Sequence, residues 1–272
     1  MKTILVTTDF SPVARNAVKY AADMALLLDA GILLLHVAQL PLSYSEMPLL
    51  VGLEDEMRNM EKQMDALTEE VKLDTNGKVP VEGEVAMGAF FSELKQVCER
   101  VKPYMVVMGS QGKTATEHLL FGSHAVHAMK QLAWPVITVP PGANFAAVKK
   151  IAVACDLEQL PGAPQVTMIK QVATDLGSTL DIINTGDPNK FDPDVVFESA
   201  ALEEQLKPIK PVYHFIEEAH TDEAIMNFAG SINIDLLIVL PKHHNLLDRL
   251  LHKSHTKELV LRSHIPVLAI HM

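Results

Sequence analysis

Ile4-Leu5-Val6-Thr7-Thr8-Asp9 is a short apolar run that stops on an acid, and Ser11-Pro12 follows it closely. The run reads as a β-strand over residues 4–7. The Ser-Pro pair reads as a helix N-cap with proline at the first helical position, where its missing N–H is no loss. Apolar and small residues then return at Val13, Ala14, Ala17, Val18, Ala21, Ala22, Ala25 and Leu28, a helical period that runs out at Asp29-Ala30-Gly31. Residues 32–37 are an apolar run of the kind found in strands covered on both faces.

The alternation continues outward from this unit. Leu50, Leu53, Met57, Met60, Met64, Leu67 and Val71 step by three and four until Asn76-Gly77. That spacing suits a coiled-coil seam, but the run is short and flanked by strands, so a helix laying one stripe on a sheet is the expectation. Strands are expected over residues 79–86, 104–108 and 135–139, and helices over 90–101 and 122–132. Strands alternating with helices predict a parallel, doubly wound α/β sheet.

After Pro140-Pro141-Gly142-Ala143-Asn144, which reads as a linker, the order begins again. Ile151-Ala152-Val153-Ala154-Cys155-Asp156 repeats the opening strand, and residues 180–184 repeat the second. Residues 236–240 match the fourth strand, and Ile265-Pro266-Val267-Leu268-Ala269-Ile270 matches Trp134-Pro135-Val136-Ile137-Thr138-Val139. A period near half the chain means a duplicated domain, with boundaries at 1–143 and 144–272. The two fifth strands, 136–139 and 267–270, would be exposed apolar edges unless they paired with each other. Such intramolecular pairing leaves a further homodimer optional.

Composition limits the partners. The chain has 272 residues, enough for two domains, and 48% of them are hydrophobic, enough for a core in each. A formal net charge of −11 argues against broad binding to nucleic acid or an anionic membrane, since both would repel it. The N-terminal apolar stretch is too short for a signal peptide, and no run reaches the length of a membrane span. Cys98 and Cys155 stand in no metal or CxxC spacing and read as reduced thiols, so a cytoplasmic protein is expected.

The segment richest in chemistry is Val106-Val107-Met108-Gly109-Ser110-Gln111-Gly112-Lys113-Thr114, where a strand runs into a glycine loop, with Gly122-Ser123 opening the next helix. Glycines let backbone approach a ligand closely, and free amides at a helix start suit phosphate. Gly112-Lys113-Thr114 imitates the end of a P-loop, but Val107 occupies the position where that motif needs its first glycine. The dinucleotide fingerprint fails as well, because the first turn is Asp9-Phe10-Ser11-Pro12.

The spacing Gly109-x2-Gly112-x9-Gly122-Ser123, with Thr8-Asp9 ending the first strand, resembles the ATP-binding branch of the universal stress protein family, over both halves of the chain. The resemblance implies two Rossmann-like domains of the adenine nucleotide alpha hydrolase type in tandem. It also implies roles by position. Asp9 would hold the adenine or ribose region beside Thr7 and Thr8, and Val37 would offer backbone groups to the base. Met108 and Gly109 would lie near the ribose, and Gly112, Gly122, Ser123 and the His124 amide would hold the phosphates. ATP, alone or with Mg, is the implied cofactor. The other reading of Asp9 is a cap that supports Ser11, and of Gly109 and Gly122 a plain turn and a plain helix start.

The second half departs from that pattern: Pro241, His244 and Ser254 fall where Gly109, Gly112 and Gly122 stand, although Asp156 matches Asp9. The replacement is rich in histidine (His243, His244, His252 and His255), which suits a metal site, a small anion pocket with Lys242 and Lys253, or a solvated basic face on a structural copy. The residues name no catalytic group, so at most slow ATP hydrolysis is expected. A nucleotide-binding stress-response regulator, with a protein partner the sequence does not name, is the leading expectation. A nucleotide hydrolase or transferase, or a protein–protein adaptor, is the alternative.

Overall fold

The computed structural model describes residues 1–38, 50–110, 123–145, 148–155, 162–184, 204, 206–216, 221–240 and 264–271. The first half alternates β1 (Lys2–Thr7), α1 (Pro12–Leu28), β2 (Ala30–Ala38), α2 (Leu50–Asp74), β3 (Val81–Met87), α3 (Phe90–Val101), β4 (Met105–Gly109), α4 (Ser123–Gln131) and β5 (Val136–Val139). The second half contains β6 (Lys150–Cys155), α5 (Ala163–Leu176), β7 (Thr179–Asn184), β8 (Val212–Phe215), α6 (Thr221–Ser231), β9 (Leu236–Val239) and β10 (Val267–Ala269).

The first helix starts for the reason its sequence suggests. The Ser11 hydroxyl accepts from the Ala14 amide at 3.2 Å, and Pro12 occupies the first turn. Ala14, Ala17, Ala21 and Ala25 are buried and let the helix lie close on the sheet. The stop differs slightly from expectation. Asp29 takes the left-handed cap conformation (φ 49°), so Ala30 and Gly31 already belong to β2. On α2 the stripe Met64, Leu67 and Val71 is buried against the sheet, and Asn76 and Gly77 (φ 52° and 69°) end the run. The stripe therefore packs on a sheet and forms no coiled-coil seam.

The ten described strands join in one sheet, ordered β3-β2-β1-β4-β5-β10-β9-β6-β7-β8. Within each half every pairing is parallel. The halves meet where β5 and β10 pair antiparallel, Val136 opposite Ala269 and Thr138 opposite Val267. The two apolar edge strands thus cover each other, as the repeat predicts. Each face of the sheet carries one core that runs through both halves. One packs α1, α2 and α5, with Ala17, Met64 and Ile169 among its members. The other packs α3, α4 and α6, with Leu94, Ala128 and Ala229.

Polar contacts reinforce the seam. Lys2 of β1 pairs with Asp175 of α5 at 2.5 Å, and the Tyr104 hydroxyl donates to the same carboxylate at 2.8 Å. Tyr20 of α1 meets Phe145 edge-on at 5.1 Å. Burial, with Asp235 of the second half beside it, pushes the Tyr20 hydroxyl well above its usual range. Cys98 is buried in the α3–α4 core, and burial, then Glu99, pushes its thiol up to about 12. A thiol that stays protonated is a poor nucleophile, which fits a structural residue.

Candidate functional site

The carboxyl ends of parallel strands converge where ligands bind in doubly wound sheets. Here β1 lies between β2 and β4, so Thr7, Val37 and Met108 reach one edge of the sheet together. Thr7 pairs with Leu35, and the Val6–Val107 pair places Met108 one step further along β4. Val37 pairs with Ala86, and Gly109 with Val139.

The corner after β1 is built by its own side chains. The Thr8 amide donates to the Leu35 carbonyl at 2.9 Å, which extends the ladder past the strand. The Thr8 hydroxyl accepts from the Phe10 amide at 3.0 Å, and Asp9 Oδ1 accepts from the Ser11 amide at 2.9 Å. Phe10 itself is left-handed (φ 61°), a conformation that costs about 1–2 kcal/mol for a residue with a Cβ. Its ring is held by burial and by His36, 4.7 Å away. His36 Nδ1 lies 2.8 Å from the Thr8 carbonyl, and because a carbonyl only accepts, Nδ1 carries the hydrogen. Asp9 therefore does brace Ser11, and the same brace fixes its half-buried carboxylate at the strand end.

His36 and Ser110 are absent from the motif but present at this edge. His36 interrupts an otherwise apolar strand, the one signal that marks it in the sequence. Ser110 follows Gly109, donates its amide to the Val139 carbonyl at 3.0 Å, and buries its hydroxyl with no partner among the described residues.

Across the edge, α4 opens at Ser123. The His124 ring packs on Phe90 at 4.5 Å, and His127, one turn on, meets Phe91 at 4.4 Å. Partial burial, and then His127, hold His124 below the usual imidazole range. Gly112 and Gly122 lie outside the described residues, as do Asp156, Pro241, His243, His244, His252, Ser254 and His255 of the second half. Among the described residues no group of three or more His, Cys, Asp or Glu side chains is placed to hold a metal ion, and no helix is long and apolar enough to cross a membrane.

The profile of the Universal stress protein family matches residues 1–140 and 148–271, one match in each half. Universal stress protein MJ0531 of Methanocaldococcus jannaschii is 30% identical over 140 residues, covering 51% of this chain and 81% of its own. Among solved structures, a universal stress protein from Archaeoglobus fulgidus superposes with a TM-score of 0.76 at 16% identity, covering 99% of this chain and 96% of the other. A functionally unknown protein of Pseudomonas aeruginosa, PA1789, superposes with a TM-score of 0.55 at 13% identity over 100% and 92% of the two chains.

Proposed function

The chain belongs to the universal stress protein family, and from that premise we propose that its first domain, residues 1–143, holds ATP as part of a cytoplasmic stress-response regulator. The second domain, residues 144–272, serves as its fixed structural partner. The observation that carries the proposal is the placement of the glycine spacing. β4 ends at Gly109 and α4 begins at Ser123, so the segment with Gly112 and Gly122 joins a strand end to a helix start. That is the junction at which backbone amides and the positive end of a helix receive phosphate.

In this reading Asp9, held by the Ser11 amide, faces the adenosine with Thr7 and Thr8, and Val37 meets the base. Met108 and Gly109 flank the ribose. Gly112, Gly122, Ser123 and the His124 amide receive the phosphates, with Mg accompanying the nucleotide.

The test is a mass and ultraviolet spectrum of small molecules released from freshly purified protein, followed by an ATP titration. Co-purified adenine nucleotide without turnover supports the reading. Gly122→Val should abolish binding, whereas a bulky change at Ser254 should leave it intact. No ATP affinity in the low-millimolar range would sink the proposal, and rapid turnover would favour a nucleotide hydrolase instead.

A further inference from the structure

His124 follows Ser123 in the first turn of α4, and its side chain reaches across to α3. Phe90 opens α3, and its ring lies 4.5 Å from that of His124. One turn on, His127 repeats the contact with Phe91 at 4.4 Å. Because α3 follows β3 and α4 follows β4, two helix starts and two histidines share one corner at the carboxyl edge of the sheet.

The electrostatics of that corner are one-sided. The first-turn amides of α3 and α4 carry the positive ends of both helices. Among the described residues, the charge that acts on the His124 ring is that of His127, which together with burial disfavours the imidazolium. The other charged groups on these helices are placed elsewhere. Glu93 lays its carboxylate over Gly88, and Lys95 pairs with Glu99. Arg100 pairs with Glu84, and Lys130 lies in the last turn of α4. The ring is thus a base at a positive corner, with no carboxylate acting on it among the described residues.

A phosphate chain reverses that balance. Seated on the first amides of α4, it brings several negative charges close to the ring, and opposite charge at short range favours the protonated form. Linkage makes the effect reciprocal, so whatever protonates the ring also tightens the phosphates.

We propose that the His124 imidazole is a proton-linked contact for the nucleotide's phosphates: binding draws one proton from solvent onto the ring, and the imidazolium donates to a phosphate oxygen. This regulation rests on the nucleotide reading above, and it makes the first domain hold ATP more tightly as pH falls. When the pH is high enough to leave the ring neutral in both free and bound protein, the contact adds nothing.

The test is a set of ATP titrations of the full chain and of His124→Phe at fixed Mg, between about pH 8.5 and about pH 6. Titration of ATP itself is common to both proteins and cancels in their ratio. The two affinities should agree at the upper end. At the lower end the wild type should bind about tenfold more tightly, the scale of one charge-assisted contact. Calorimetry of the wild type in two buffers of different protonation heat should show net proton uptake that His124→Phe loses. ATP binding with the same pH profile and proton count in both proteins overturns the proposal and leaves the nucleotide reading standing. Absence of ATP binding at every pH removes that reading, and the proposal with it. Should His124→Phe fail to fold, the imidazole signals of labelled wild type decide. A His124 titration midpoint that rises on adding ATP supports the contact, and an unmoved midpoint in ATP-saturated protein overturns it.

Discussion

Thr138 and Val267 face each other across the antiparallel ladder that joins the halves, and the Thr138 hydroxyl donates to the Val267 carbonyl at 3.4 Å. The residues around them, Ile137 and Leu268, are almost fully buried. The seam is therefore continuous core rather than a surface contact.

An acid placed in that ladder meets no counter-charge. Ile137→Asp is expected to destabilise the full chain by about 3–5 kcal/mol, the scale of an uncompensated buried charge. Tyr104→Phe, which loses only the hydrogen bond to Asp175, should cost about 1 kcal/mol. Denaturant midpoints of both variants check this ordering. Equal effects would mean that the ladder contributes little.

The buried carboxylate of Asp181 is matched by Lys150 and His214. Lys150→Met leaves it with one neighbour fewer and should destabilise by about 3 kcal/mol. The double variant Asp181→Leu/Lys150→Met removes both charges and should recover most of that loss. A double variant no more stable than Lys150→Met would show that the pair is not coupled as described.

Partial burial, and then His127, lower the folded His124 imidazole below the ordinary 6.5. Below about pH 6.5 the unfolded chain takes up a proton that the folded chain resists, so this histidine's contribution to stability falls as pH drops. Above that range its contribution is flat. His124→Phe should keep the stack on Phe90 and reduce the slope of stability against pH on the acid side. An identical slope in wild type and variant, measured by denaturation, would refute the assignment.

Gly83 lies on the edge strand β3, beneath α2. A Cβ there would stand 2.5 Å from Met64 Cγ and 2.8 Å from Thr68 Oγ1, on a helix whose stripe is buried against the sheet. Gly83→Ala must push α2 outward and should cost about 1–3 kcal/mol. A melting temperature equal to wild type would show that Met64 can move aside.

The parts of the fold legible in the sequence are those set by local chemistry. Ser11-Pro12 starts α1, Asn76-Gly77 ends α2, and the Trp134–Val139 segment has its counterpart in Ile265–Ile270, which carries β10. β8 escapes that reading. Val212 and Phe215 are exposed, His214 points inward to a charge, and nothing in the residues alternates cleanly. An edge strand is made by its neighbour β7, and pattern alone does not contain the neighbour. The candidate site divides in the same way. Asp9, Val37, Met108 and Gly109 come to one edge because strand ends are predictable. His36 and Ser110 join them through register and burial, which spacing does not encode.

The β5–β10 ladder also bears on how this molecule can vary. In an assembly of identical subunits every substitution appears twice, so neither site can change without its twin. Here the two sides of the seam belong to one chain, and Thr3 and Lys150, or Leu33 and Asp181, differ at equivalent places. Tethering makes their association independent of protein concentration. One half is thereby free to change its side chains while the other keeps the sheet intact, and heredity can act on each separately.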